Sequence, residues 1–229
     1  MRESIAHYWA YCSFTDALFG ELMAALQATG QADNTLVLFL SDHGEYAGAH
    51  GLYCKGVPAF REAYEVPCIA RWPHGITAPG REENAFVTLA DFAPTFLDLA
   101  GVEPQHTLTG RSLVPFLRNE PAPPDWPDAA YTQFNGVELY YTQRAVTTRD
   151  WKYVYNGFDF DELYDRRADP HEMVNLSDRP EHEVIKRTLV QKMWRFAAEQ
   201  QDDLLFNGYA TVALAPFGPA DAFRNGPNG

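Results

Sequence analysis

Asp42 and His43 stand side by side in SDHGEYAGAHGLYCKG (41–56), directly after the apolar run TLVLFL, with Lys55 thirteen residues after Asp42. A carboxylate is a hard anionic ligand and a neutral imidazole is a nitrogen ligand, so the pair can turn toward one divalent cation. Two ligands hold a metal poorly, so further ones must come from elsewhere. The Gly-rich loop around them carries Gly44, Gly48, Gly51 and Gly56, a backbone free enough to fold the Lys55 ammonium back over the strand end. An ammonium beside a cation favours an anionic group, sulfate or phosphate, whose oxygens gather charge in the transition state.

Each residue also has a plainer reading. SDHG by itself can be a capped turn with a solvated histidine, and a single lysine is usually a surface residue. Glu45 reads as a cap of the loop, and His50 as a hydrogen-bonding support rather than a ligand. Ser41, Asp42 and His43 do not form a hydrolytic triad, because contiguous residues cannot line up as nucleophile, base and orienting acid. Tyr46, Tyr53, Phe60 and Trp72 read as core or rim packing, with pocket lining as the alternative.

The elements that must position these residues follow from hydrophobic spacing. Ile5, Tyr8, Trp9, Leu18, Phe19, Leu22, Met23 and Leu26 predict an amphipathic helix from residue 2 to about 29, closed by Gly30. Thr35 to Leu40 reads as a strand buried on both faces, as parallel strands are, so Asp42 and His43 lie beyond its carboxyl end, where open α/β sheets collect ligands. Further strands are expected in EVPCIARWP (65–73) and early in NAFVTLADFAPTFLDLAG, whose helix would have Asp91 as N-cap and Gly101 at C′. Such a strand needs neighbours on both edges; alone it would expose a sticky edge.

The segment 118–128 holds Pro121, Pro123, Pro124 and Pro127 and reads as a linker. Beyond it, RAVTTRDWKYVYNG predicts two strands around Arg149 and Asp150, ELYD a further one, and 180–201 an amphipathic helix covering that sheet. The expected organisation is a partial α/β domain over 1–117, a small α+β domain over 118–201 with an antiparallel sheet and a covering helix, and a loose tail over 202–229.

With 229 residues, 46% hydrophobic and 14% aromatic, the chain can bury a sizeable core. A net charge of −13 argues against a nucleic-acid partner. Cys12, Cys54 and Cys68 are odd in number and lack CxxC spacing, so buried free thiols are expected. No signal-like N-terminus and no long apolar span are present, which predicts a soluble, cytoplasmic chain without membrane contact; a missing N-terminus would remove any signal peptide.

In combination, SDHGEYAGAHGLYCKG, REAYEVPCIARWPHGI, ADFAPTFLDLAGV, GRSLVPFL, RAVTTRDWKYVYN and ELYDRRADPHEMVNL resemble the second half of the sulfatase family, within the alkaline-phosphatase-like superfamily that also holds phosphonate monoester hydrolases. The resemblance covers most of residues 8–176. It implies a metal-dependent hydrolase of sulfate esters. Asp42 and His43 would be two ligands of one divalent metal, calcium (Ca2+) in many sulfatases and Mn2+ or Zn2+ in the phosphonate hydrolases. Lys55 would be a catalytic residue contacting the oxygens of a small-molecule sulfate or phosphate ester.

The family's nucleophile motif, Cys or Ser followed by Pro at the second and Arg at the fourth position, is absent. Cys12 precedes SFTD, Cys54 KGVP, Cys68 IARW, Ser112 LVPF and Ser177 DRPE. Asp202 and Asp203 lie too near the C-terminus to replace the acidic ligands of the family's first strand. The expectation is a fragment inactive alone, completed by a polypeptide carrying the nucleophile-bearing half. The competing expectations are a phosphonate or phosphate ester hydrolase of the same superfamily, and a non-catalytic remnant or interaction module.

Overall fold

A computed structural model describes residues 2–136, 141–157, 159–202 and 217–218. The chain divides into two compact units, Met1–Lys55 with Glu62–Trp126, and Gly56–Arg61 with Pro127–Gly229. Both mix helix with antiparallel strands, so the fold class is α/β in the first and α+β in the second. None of the described helices is long and apolar enough to cross a membrane.

The first unit opens with α1 (Arg2–Ala28) and, after a one-turn 3-10 segment, β1 (Val37–Leu40). Gly30 ends the helix as expected, at φ 72°. The amphipathic reading of α1 is corrected: no residue of the helix is buried among the described residues, and Trp9, Tyr11, Phe14 and Leu22 are all exposed. Phe19 packs edge-on against Phe39 of β1, with ring centroids 5.2 Å apart.

The strand expected to run parallel and deeply buried is also different. β1 pairs antiparallel with β2 (Cys68–Arg71), Val37 opposite Arg71 and Leu40 opposite Cys68, and every β1 residue is half-exposed. Between the two strands lie the loop 41–60 and the short helix α2 (Arg61–Tyr64), with no long crossover helix of the kind that joins parallel strands. Among the described residues β1 has no second strand neighbour. Cys12, Cys54 and Cys68 are free, as expected, but exposed rather than buried.

No strand forms at 84–88. Thr88 instead caps a 3-10 turn (Leu89–Asp91), with Asp91 as its capping-box partner, that leads into α3 (Phe92–Ala100); Asp91 stands at the N-cap of α3 as expected, without a side-chain cap bond there. Its carboxylate accepts from the Thr88 and Arg111 amides at 2.7 and 2.8 Å. Gly101 closes α3 at φ 65°, where the left-handed region favours glycine. After α4 (Val114–Leu117), the proline-rich stretch is no free linker, since Trp126 stands edge-on to Phe116 at 4.6 Å and donates to Phe86 O at 3.0 Å.

The second unit is a four-stranded meander, β3 (Ala129–Phe134), β4 (Gln143–Thr148), β5 (Trp151–Tyr155) and β6 (Glu162–Asp165), with α5 (Glu183–Glu199) following. The hairpin around Arg149 and Asp150, the ELYD strand and the covering helix form as predicted; β3 was not anticipated. One sheet face sends Val146, Tyr153, Tyr155 and Leu163 against Leu189, Val190, Met193, Trp194 and Ala197 of α5. Fully buried aromatics of this kind carry much of a small domain's hydrophobic stabilisation.

The opposite face is covered as well, by the six-residue excursion Gly56–Arg61. Ala59 is 1% exposed, Phe60 stacks at a tilt on Tyr164, and Gln143 Nε2 donates to Val57 O at 2.8 Å. That explains why the middle strands are buried on both sides.

The described part of the expected tail is not loose. Asp202 is 6% exposed and joined to Arg144, and Phe217 O accepts from the Trp194 indole at 2.9 Å. The rest of 202–229 lies outside the described residues.

One prediction concerns pH. Burial, then the Asp161 carboxylate, pushes the Tyr155 phenol up to about 12. An acid whose folded pKa lies above its unfolded value near 10 stabilises fully below that value and loses the contribution as pH climbs toward 12. The loss amounts to roughly 2–3 kcal/mol. Thermal melts between pH 9 and 12 are expected to fall less steeply for Tyr155→Phe than for the parent; equal slopes would contradict the burial argument.

Candidate metal and anion site

The site grows from the carboxyl end of β1. Ser41 Oγ donates to His43 O at 2.6 Å, and the His43 amide donates to Asp42 Oδ1 at 3.0 Å, so the turn is held by its own side chains. Gly44 is required by close approach rather than by φ. Its amide donates to Ala63 O at 2.9 Å, and a Cβ added there would sit 1.8 Å from Glu62 O. The turn is thereby pressed against the backbone at 62–63.

His43 Nδ1 lies 2.9 Å from Gly44 O. A carbonyl can only accept, so Nδ1 carries the proton and, in the neutral ring, Nε2 presents its lone pair. His43 Nε2 lies 3.6 Å from Asp42 Oδ2. A backbone carbonyl that fixes the tautomer is the support commonly given to ligating histidines. Asp42 Oδ2 and His43 Nε2 are close enough to be shared by one cation.

Both side chains remain open to solvent, 82% for Asp42 and 42% for His43. No group of three or more His, Cys, Asp and Glu that could hold a metal occurs among the described residues. The pair needs additional ligands.

Lys55 is exposed. The loop before it is closed by backbone pairing: Tyr46 N donates to Cys54 O at 3.0 Å and Gly48 N to Leu52 O at 2.8 Å, while Glu45 Oε1 accepts from the Ala47 amide at 3.2 Å and from the Cys54 amide. Cys54, the neighbour of Lys55 in sequence, is thus held beside Glu45 and Tyr46. Glu45 caps the loop as read from sequence. Tyr46 is buried, at 3% exposure, and packs rather than lining a pocket.

His50 also serves as support, with Nε2 at 3.6 Å from Glu62 Oε2 and a left-handed backbone at φ 53°. Glu62 escaped the sequence reading. Its placement arises from the tertiary contact at Gly44, which leaves no periodic signal. A cleft of about 500 Å³ in the same unit is lined by Trp72, His74, Thr77 and Arg118, and holds none of Asp42, His43 and Lys55.

Residues 48–199 match the family described as N-sulphoglucosamine sulphohydrolase, C-terminal. The chain is 35% identical over 211 residues to an N-acetylglucosamine-6-O-sulfatase of Bacteroides thetaiotaomicron, covering 88% of this chain and 37% of that protein. In structure it is similar to BT4656, solved in complex with its substrate D-glucosamine-2-N,6-O-disulfate, with a TM-score of 0.74, 34% identity and coverage of 80% of this chain and 38% of the other. A phosphonate monoester hydrolase of Agrobacterium radiobacter is similar with a TM-score of 0.75 and 29% identity, over 80% and 39% of the two chains. The chain spans little more than a third of the length of these relatives. With the ligand-like turn after β1, the antiparallel second unit and the family match in agreement, the chain belongs to the sulfatase family of the alkaline-phosphatase-like superfamily and corresponds to its C-terminal portion.

Proposed function

We propose that this chain supplies the metal-binding turn and the anion-binding lysine of a sulfate ester hydrolase whose nucleophile lies outside these 229 residues. The observation that carries the reading is the His43 ring, whose Nδ1 is committed to Gly44 O and whose Nε2 lies 3.6 Å from Asp42 Oδ2. Asp42 and His43 would hold the divalent cation, Ca2+ in the leading version, which when bound supplies Lewis-acid stabilisation of negative charge. Lys55 would grip the ester's peripheral oxygens, attracting them in the ground state and more strongly as charge develops. Glu45 keeps that lysine's loop closed by accepting two backbone amides.

The test is steady-state hydrolysis of 4-nitrophenyl sulfate by this chain joined to, or mixed with, a polypeptide carrying a sulfatase nucleophile motif. Lys55→Ala is expected to lower kcat/KM by about 10²–10³, the usual scale for losing one charge-stabilising donor. Unchanged kcat/KM would remove Lys55 from the site. The isolated chain is expected to give no turnover, and robust turnover by it would overturn the placement of the nucleophile elsewhere.

A phosphonate or phosphate ester is the second reading. It is favoured by the phosphonate monoester hydrolase likeness and by a nitrogen ligand, His43, which suits Mn2+ or Zn2+. A larger kcat/KM for phenyl phosphonate monoesters than for aryl sulfates, with Mn2+ preferred to Ca2+, would select it.

A further inference from the structure

Glu62 touches both parts of the candidate site, and its carboxylate is set in an uncommon way. Oε2 is buried and accepts no hydrogen bond among the described residues. A buried acceptor without a donor is costly, so its presence calls for another interaction that keeps it there. His50 Nε2 stands 3.6 Å away, beyond hydrogen-bond reach but within the range of electrostatic attraction. The two side chains, 10% exposed for His50 and 25% for Glu62, are largely shielded from water, which strengthens that attraction.

His50 belongs to the tip of the loop that ends at Lys55. The tip is a 3-10 turn (Ala49–Gly51), in which His50 adopts φ 53°. A non-glycine residue keeps a left-handed backbone where its surroundings outweigh the cost. Within the tip, Gly48 N donates to Leu52 O at 2.8 Å, Gly51 N to Gly48 O at 3.1 Å and Leu52 N to Ala49 O at 2.9 Å. These bonds give the tip its shape; the contact with Glu62 attaches it to α2. At the base of the loop, Glu45 and Tyr46 hold Cys54, the residue before Lys55.

The backbone of Glu62 meets the other part of the site. Its carbonyl oxygen presses on Gly44 so closely that an added Cβ would lie 1.8 Å from it, and the next residue's carbonyl, Ala63 O, accepts from Gly44 N at 2.9 Å. Glu62 therefore reaches the Asp42–His43 turn through its backbone and the lysine loop through its side chain. Residues 42–55, 62 and 63 all belong to the first compact unit.

We infer that the Glu62–His50 contact is a tether that fixes the loop 45–54 beside the turn at 42–44, making Glu62 and His50 positioning residues for anion binding by Lys55. The inference rests on the reading of Lys55 given above. Both residues act through the backbone of the loop.

The experiment uses the whole chain and the variants Glu62→Met, His50→Asn and their combination. Met keeps the volume of Glu62 and removes the carboxylate; Asn tolerates the left-handed backbone and is too short to reach residue 62. Because the lost acceptor has no hydrogen bond, Glu62→Met is expected to keep the parent's urea midpoint. Amide hydrogen exchange at Gly48, Gly51 and Leu52 is expected to rise about tenfold in each variant, while Leu97 and Leu99 in α3 keep their protection. In parallel, the Lys55 amide shift is titrated with sodium sulfate at fixed ionic strength. A saturable response is expected in the parent, lost in Lys55→Gln, and weakened about tenfold in each single variant. The combined variant is expected to be no weaker than either single one, since one tether can be lost only once.

Unchanged exchange at the loop tip in the folded variants overturns the tether. Faster exchange with unchanged sulfate affinity makes the contact structural and overturns the positioning role. Losses that multiply in the combined variant show that the two side chains act separately, which overturns the pairing. Absence of any sulfate response in the parent sinks the anion-binding reading of Lys55 and with it the positioning role, while exchange still decides whether the contact tethers the loop. Should Glu62→Met fail to fold, His50→Asn alone gives the same two readouts with the same expected changes.

Discussion

Replacing Gly44 by alanine is expected to cost about 3–5 kcal/mol and to erase cation and anion binding together. The added Cβ would meet Glu62 O at 1.8 Å, Glu62 C at 2.9 Å and Ala63 Cα at 3.2 Å. All three are backbone atoms, so no side-chain rotation relieves the clash. The chain can escape only by parting the turn from residues 62–63, which breaks the Gly44 N to Ala63 O bond and frees Asp42 and His43 to reorient. Gly51→Ala is the control: it holds a left-handed φ of 74° with nothing within 4 Å, so its cost is conformational and limited to about 1 kcal/mol. Urea denaturation separates the two. A Gly44→Ala variant within 1 kcal/mol of the parent would mean that the turn is not pressed against that backbone.

The second large effect is expected at Arg144 and Asp202. Nε and Nη2 of Arg144 meet Oδ2 and Oδ1 of Asp202 at 2.6 and 2.7 Å, a bidentate pair with both side chains 2% exposed. Tyr131 Oη donates to Asp202 Oδ2 at 2.6 Å, and Arg144 Nη1 reaches Asn135 Oδ1 at 2.8 Å. Removing one partner leaves the other charge buried without its counterpart, so Arg144→Met and Asp202→Leu are each expected to cost about 3–5 kcal/mol. The double variant should recover most of that, because two apolar side chains of similar volume leave no stranded charge. A double-mutant cycle with additive losses would show that the two groups do not depend on each other.

Much of the candidate site could be read from residue types alone. Asp42, His43 and Lys55 stand out because carboxylate, imidazole and ammonium gather in a glycine-rich loop after an apolar run. The β4–β5 hairpin, α5 and the Gly101 terminus were equally legible, since each depends on near neighbours in sequence.

What escaped depends on distant pairing. The apolar content of β1 suggested burial between parallel neighbours, yet β1 pairs antiparallel with β2, and apolar character does not encode strand direction. The aromatic spacing of α1 predicted a packed face that the described residues do not cover. Lys152 and Glu172 carry no local sign of their burial, because nothing near them in sequence announces that residues 57–61 will lie across the sheet. Asp202 was read as tail for the same reason; its partner Arg144 is 58 positions away.

The central claim is that Asp42 and His43 converge on one cation, as opposed to forming a solvated ion pair of small energetic weight. Paramagnetic broadening by Mn2+ tests it directly, read on the His43 ring Hε1 and on the Asp42 to Gly44 amides. The account predicts broadening centred on these signals at millimolar Mn2+, and its loss in His43→Ala. Broadening centred elsewhere, or unaffected by removing the His43 ring, would contradict it.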